Sequence, residues 1–147
     1  MFDDRFVLAM KASQANRRQS NASTEMLLDD RLLLLEEGHC LRDQALSYCR
    51  IVTPEARESF GASSLTTIVQ MVANGYGVTL LPEMAIASEI HASDGIRLLP
   101  FRAPQPRRAI GLAWRKTSPR KRDFIEFAEL LRQAAPRPKS SHGRDAQ

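Results

Sequence analysis

Short segments with strand and helix character alternate along this chain, and the alternation limits the folds that it can adopt. Apolar runs predict strands over residues 5–10, 31–35, 78–81, 96–101 and 109–114, and a further short strand is placed at 57–61. Helical spacing and capping residues predict helices from Ser23 or Thr24 to Asp29, over 40–49, from the Ser63-Ser64 cap to the Gly75 stop, over 83–88, and after Pro119. Strand-helix alternation of this kind favours an α/β fold with a largely parallel sheet.

Size and composition place the chain among ordinary globular proteins. Its 147 residues suit one domain, and 43% are hydrophobic and 26% charged. The apolar runs, such as Leu32 to Leu35, are far too short to cross a bilayer, and Met1 begins no secretory signal pattern. Two cysteines do not make a disulfide scaffold. We therefore expect a cytoplasmic protein, in which a disulfide would be transient.

The charge is unevenly distributed. Residues 1–101 carry 9 basic and 13 acidic side chains, whereas residues 102–147 carry 12 and 4. A basic C-terminal third can contact nucleic acid or an acidic partner, but it is also what a solvated helix face and a basic tail would give. From Pro136 onward the composition predicts a disordered basic tail, over 136–147, after a domain at 1–135.

The segment Gly38-His39-Cys40-Leu41-Arg42-Asp43-Gln44-Ala45, followed by Cys49, carries the most chemistry. A thiol close to a histidine and an arginine can ionise near neutral pH, and the thiolate is the reactive form. Peroxide cleavage needs such a sulfur and a donor for the leaving hydroxide. Cys40 at a helix N-terminus would have backbone N–H groups nearby, Arg42 can add a charge, and His39 can donate a proton.

The spacing of the two cysteines creates a conflict that a switch can use. If residues 40–49 are helical, the cysteines lie roughly 13 Å apart along the axis. A disulfide needs Cα atoms within about 7 Å of each other. The intact helix and the disulfide therefore exclude each other, and oxidation must unravel this segment.

Other interpretations of these residues stay open. Cys40 and Cys49 can be two unrelated structural cysteines, since free cysteine is usually a small buried apolar residue. A metal site of Cys40, Cys49 and His39 lacks the usual CxxC spacing, and we expect no metal. Arg42 and Asp43 can form a surface pair without a role. No P-loop or Rossmann glycine pattern is present, so no cofactor is expected.

At these residues the chain resembles the redox loop of the peroxide-sensing OxyR branch of the LysR-type transcriptional regulators. The resemblance continues through Ser64 to Thr67, through Met71 to Pro82 and through Pro106 to Leu112, and it covers about residues 1–134. The cysteine motif is specific to the sensing branch. The stretch from Met71 to Pro82 is similar to effector domains across the wider family.

The resemblance implies a regulator and not an enzyme. Cys40 would be the peroxide-reacting cysteine and Cys49 the resolving one, with Gly38, His39 and Arg42 lining the peroxide pocket and Asp43 beside them. The implied fold is a periplasmic-binding-protein-like effector domain with two α/β subdomains. The implied partners are hydrogen peroxide, a glutaredoxin- or thioredoxin-type reductant, and further copies of the regulator in a dimer or tetramer.

The resemblance also implies that the chain is N-terminally truncated. We expect it to hold the second subdomain and the last strand and helix of the first. The family's helix-turn-helix, through which it binds DNA, and its pocket threonines would precede Met1. Residues 109–114 and the apolar face from Phe124 to Leu131 would then lack packing partners. Two alternatives remain: an effector domain that binds a small molecule without redox chemistry, and a thiol peroxidase.

Overall fold

A computed structural model describes residues 2–16, 19–23, 25–48 and 61–134 of the chain. Within these ranges strands and helices alternate. In chain order they are β1 (Phe2–Lys11), α1 (Met26–Asp29), β2 (Leu34–Leu35), α2 (Cys40–Tyr48), β3 (Gly61–Ala62), α3 (Leu65–Ala73), β4 (Thr79–Pro82), α4 (Glu83–Glu89), β5 (Ile96–Pro100), β6 (Arg107–Ile110) and α5 (Lys121–Ala134). All five predicted helices are present. Cys49, residues 57–60 of the predicted strand at 57–61, and the predicted tail lie outside the described residues.

The described residues divide into two units. Residues 4–108 form the larger unit, which carries the cysteine motif, and residues 2–3 and 109–134 belong to the smaller one. No helix among the described residues is long and apolar enough to cross a membrane.

The main sheet is organised around β1. Its order is β4-β1-β5, and β6 also pairs with β1. Leu8 lies opposite Leu80 of β4 and Leu99 of β5, and both pairings are antiparallel. The prediction of a largely parallel sheet is therefore wrong. The strand-helix-strand segment β4-α4-β5 joins strands on opposite sides of β1, and a reversed strand between them leaves no trace in the local pattern.

A second sheet of two strands pairs β2 with β3 in parallel, with Leu34 opposite Gly61. The predicted strand over 31–35 is shortened to Leu34–Leu35, although the run from Leu32 to Leu35 is buried as expected. Residues 31–33, just before β2, are hydrogen-bonded to the residues at the start of β4. Leu33 N–H donates to the Val78 carbonyl at 2.8 Å, and Val78 N–H donates to the Arg31 carbonyl at 2.9 Å.

The core of the larger unit lies on both faces of β1. Phe6 and Leu8 face one apolar cluster and Val7 and Ala9 face another, and all four side chains are buried. Alternate residues of a strand point to opposite faces, so a continuous apolar run is what a strand covered on both sides requires. α2 packs on the first cluster and α3 on the second.

The predicted side-chain cap is present at the start of α3 but not at the start of α1. Ser64 precedes α3, and its hydroxyl accepts a hydrogen bond from Thr67 N–H at 3.2 Å, as predicted. α1 has Glu25 at its N-cap without a side-chain capping bond, so the predicted Ser23 cap is wrong, and Thr24, the other predicted cap, lies outside the described residues. A hydrogen bond from the Ser23 side chain to the Glu25 carboxylate, with Glu25's own backbone N–H, lowers the pKa of Glu25.

In the smaller unit, α5 is amphipathic but has no buried residue. Phe124 stacks on Trp114 with ring centroids 5.9 Å apart. The predicted strand over 109–114 is displaced, since β6 spans Arg107–Ile110. Pairing starts earlier because the Pro106 carbonyl already accepts a hydrogen bond from Phe6 N–H at 2.9 Å.

Candidate functional site

A tight turn between β2 and α2 presents the cysteine motif. Glu36 N–H donates to the Ala62 carbonyl at 3.1 Å, and His39 N–H bonds back to the Glu36 carbonyl at 3.4 Å. Gly38 has a φ of 92° and no atom within 4 Å of the place a Cβ would take. The left-handed backbone, and not lack of space, is therefore what favours glycine here. The turn ends where α2 begins, at Cys40, as the sequence predicts.

The reactive groups at the start of α2 face solvent. Cys40 is an exposed free cysteine, and His39 before it is exposed as well. Asp43 is exposed in the first turn of the helix, where a carboxylate interacts favourably with the helix dipole. An oxidant can thus reach the Cys40 thiol directly. The predicted partner Cys49 lies outside the described residues, so their separation stays a prediction.

Arg42 differs from its neighbours because it is buried. It is only 7% exposed, and its Nη1 donates a hydrogen bond to the Leu35 carbonyl oxygen at 3.0 Å. A buried guanidinium needs such partners to offset its lost hydration. Arg42 therefore ties the first turn of α2 to the end of β2.

A narrow cavity lies under α2. Leu35, Leu41 and Arg42 line it together with Ile68 of α3 and Thr79 of β4. Its volume of about 10 Å³ is at the lower limit for a single water molecule. Of the predicted pocket residues, only Arg42 borders this cavity, whereas Gly38, His39 and Asp43 lie on the exposed side.

Gln44 is a further residue of the cysteine motif with a buried polar atom, and the sequence did not single it out. Its Oε1 is buried and has no hydrogen-bond partner among the described residues. Buried acceptors in native proteins are nearly always satisfied, often by water or a ligand. Gln44 follows Cys40 by four residues, which is about one helical turn. This spacing is the sequence signal that could have identified Gln44 as a neighbour of Cys40.

The other end of α2 is held by an aromatic contact. The Tyr48 ring meets the buried Phe101 ring edge-on, with centroids 5.5 Å apart and planes at 69°. Tyr48 also packs against the core cluster on that face of β1. No local pattern pairs residues this far apart in sequence, so sequence reasoning missed this contact.

The fold and the motif together define a regulatory ligand-binding domain. The family model of the LysR substrate binding domain matches residues 1–136, and the chain belongs to that family. Within the described residues no three histidine, cysteine or carboxylate side chains come together as a metal site would require.

Two curated relatives point to one branch of the family. The DNA-binding transcriptional dual regulator OxyR of Escherichia coli K12 is 39% identical over 132 residues, which are 90% of this chain and 43% of that protein. A probable hydrogen peroxide-inducible genes activator of Mycobacterium avium is 41% identical over 132 residues, which are 89% and 42% of the two chains. The chain thus spans less than half the length of these relatives.

Solved structures of the same branch of the family are also similar to this chain. The reduced regulatory domain of OxyR from Pseudomonas aeruginosa superposes with a TM-score of 0.76 at 39% identity, covering 94% of this chain and 64% of that one. A peroxide-bound cysteine-to-serine mutant of OxyR from Corynebacterium glutamicum gives a TM-score of 0.81 at 33% identity, covering 90% and 42%. The expected periplasmic-binding-protein-like α/β fold is confirmed.

Proposed function

We propose that this chain is the peroxide-sensing regulatory domain of a transcription activator, switched by a reversible Cys40–Cys49 disulfide. The observation that carries the proposal is the exposed Cys40 thiol at the first residue of α2, directly after His39. Relatives named as hydrogen peroxide-inducible genes activators support the choice of oxidant. The domain signals and has no catalytic turnover of its own.

The reaction has two balanced steps. The Cys40 thiolate attacks one peroxide oxygen in line with the O–O bond, which breaks and releases hydroxide, and the sulfur is oxidised to a sulfenic acid. The Cys49 thiol then attacks that sulfur, forming the S–S bond and releasing water. A glutaredoxin- or thioredoxin-type dithiol supplies the two electrons and two protons that restore both thiols.

The residues around Cys40 take different roles in the first step. His39, exposed beside the thiol, donates a proton to the departing oxygen. Gly38 allows the turn that brings them together, and Asp43 borders the same exposed side. Arg42 acts from the buried side of α2, through its positive charge and its hydrogen bond to the Leu35 carbonyl.

The consequence of oxidation follows from the length of α2. The helix rises roughly 12 Å between Cys40 and Tyr48, whereas a disulfide to the next residue needs Cα atoms within about 7 Å. At least one end of α2 must leave its place. In an assembled dimer or tetramer such a movement would alter contacts between copies, and so the DNA binding of a helix-turn-helix domain in a longer chain.

Trapping of the sulfenic acid tests the proposal. In Cys49→Ser, where the resolving thiol is missing, one equivalent of peroxide should give a Cys40 adduct with a 1,3-diketone probe. Cys40→Ser is the matched control and should give no adduct. Equal labelling of the two variants, or of neither, would contradict the assignment of Cys40 as the peroxide-reacting cysteine.

Two further measurements separate the alternatives. A thiol peroxidase would consume many equivalents of peroxide per chain when dithiothreitol is present, whereas a sensor reacts slowly after its first event. A non-redox effector domain would leave both thiols free after peroxide treatment.

A further inference from the structure

Two contacts, one near each end of its described residues, help to hold α2 against the rest of the larger unit, in addition to the apolar packing of Leu41, Ala45 and Leu46. Near Cys40, Arg42 Nη1 bonds to the Leu35 carbonyl at 3.0 Å. At the far end, the half-buried Tyr48 places its ring against Phe101, which is 2% exposed. The two contacts lie between Cys40 and Cys49 in sequence, so any path that joins the two sulfurs must strain or release one of them.

Of these two contacts, the one between Tyr48 and Phe101 is the easier to break. Phe101 belongs to the core cluster and is joined to Ala22 by a bridge, so it stays in place. Tyr48 is the last described residue of α2 and its side chain is half-buried, whereas Arg42 is buried and holds its hydrogen bond inside the protein. Tyr48 also directly precedes Cys49 in the chain, so it must move when that sulfur does.

We propose that Tyr48 is a positioning residue for the redox reaction: its ring contact with Phe101 holds the last turn of α2 in the dithiol form and is given up when the Cys40–Cys49 disulfide forms. This inference rests on the proposed function. A contact present only in the dithiol form stabilises only that form. Removing it must therefore shift the equilibrium toward the disulfide, whereas a contact kept in both forms would leave the equilibrium unchanged.

Redox titration of Tyr48→Leu tests the inference. In a dithiothreitol buffer of fixed redox potential, the ratio of disulfide to dithiol should be roughly threefold to tenfold higher than in the wild-type chain. This is the range expected for the loss of one aromatic pair. For a two-electron couple this corresponds to a midpoint potential lower by about 15 to 30 mV. The melting temperature of the dithiol form should fall, and that of the disulfide form should not.

Three matched variants complete the test. Tyr48→Phe keeps the ring contact with Phe101 and should shift the ratio less than Tyr48→Leu does. Tyr76→Leu makes the same change at the other tyrosine, which is 62% exposed, and should leave the ratio unchanged. Phe101→Leu, where it folds, should shift the ratio in the same direction as Tyr48→Leu.

The outcomes are distinguishable. A wild-type ratio in Tyr48→Leu, or melting temperatures lowered equally in both forms, would overturn the inference and leave the proposed function standing. A wild-type chain that forms no Cys40–Cys49 disulfide would overturn both.

Discussion

The Arg42 guanidinium bonds to the Leu35 carbonyl oxygen at 3.0 Å, which ties α2 to β2 two residues beyond the exposed Cys40. The same side chain borders the small cavity between α2, α3 and β4. The reactive end of the helix is thus anchored from inside while its thiol stays in solvent. This arrangement gives Arg42 a structural role that does not depend on contact with peroxide.

Arg42→Met should show that role in the dithiol form. The substitution keeps much of the apolar stem but leaves the buried Leu35 carbonyl without this donor, so the free energy of unfolding should fall by about 2 kcal/mol. Urea denaturation measures it. Arg102→Met is the control, because Arg102 is exposed and its change should be near zero. Equal stability of the two variants would contradict the anchoring role.

Gly77 should not tolerate a side chain. A Cβ at this position would overlap the Arg31 carbonyl oxygen, in the segment where Val78 N–H bonds to that same carbonyl. Gly77→Ala should therefore lower the free energy of unfolding by about 3 kcal/mol. Gly95→Ala meets no atom within 4 Å and carries only the strain of a φ of 64°, about 1 kcal/mol. Urea titration of both variants should show this difference, and a reversed order would contradict the packing described.

Asp4 joins three elements through one buried carboxylate. It pairs with Arg108 at 2.8 Å and accepts a hydrogen bond from Met84 N–H, in the first turn of α4, at 3.0 Å. Asp4→Ala removes both interactions and should lower the free energy of unfolding by about 3 kcal/mol. Asp4→Asn keeps an acceptor for Met84 and should lose less. Thermal unfolding of the two variants checks the order, and a larger loss for Asp4→Asn would contradict it.

The exposed apolar side chains on α5 should promote self-association of the chain. Phe127 is 49% exposed and Leu130 62% exposed, and Ile125 and Leu131 are exposed as well. Exposed apolar patches promote association and dye binding. Leu130→Glu should lower the fluorescence of a bound hydrophobic dye and reduce self-association in sedimentation. Tyr76→Glu, equally exposed but remote in sequence, should change either signal less.

The sequence predicted the local elements of the site well. α2 begins at Cys40 because the left-handed Gly38 ends the preceding turn, and α3 follows from its apolar spacing and the Ser64 cap. These features depend on residues within a few positions of one another. Their signals are therefore contained in short stretches of the chain.

The long-range features were not predictable in the same way. The antiparallel insertion of β1 between β4 and β5 and the contact of Tyr48 with Phe101 join segments distant in sequence. The burial of Arg42 also escaped prediction, since an arginine in a helix is usually exposed. Helix propensity does not indicate that its guanidinium turns back to the Leu35 carbonyl, seven residues earlier in the chain.

Peptide mapping after a single equivalent of hydrogen peroxide shows whether Cys40 and Cys49 become joined by a disulfide. The reduced chain is treated briefly, the remaining thiols are blocked, and the digest is analysed by mass spectrometry. We expect one cross-linked peptide that joins Cys40 to Cys49 with the loss of two hydrogen atoms, and we expect it to be absent in Cys40→Ser and Cys49→Ser. Recovery of both cysteines as blocked thiols in the wild-type chain would contradict this expectation.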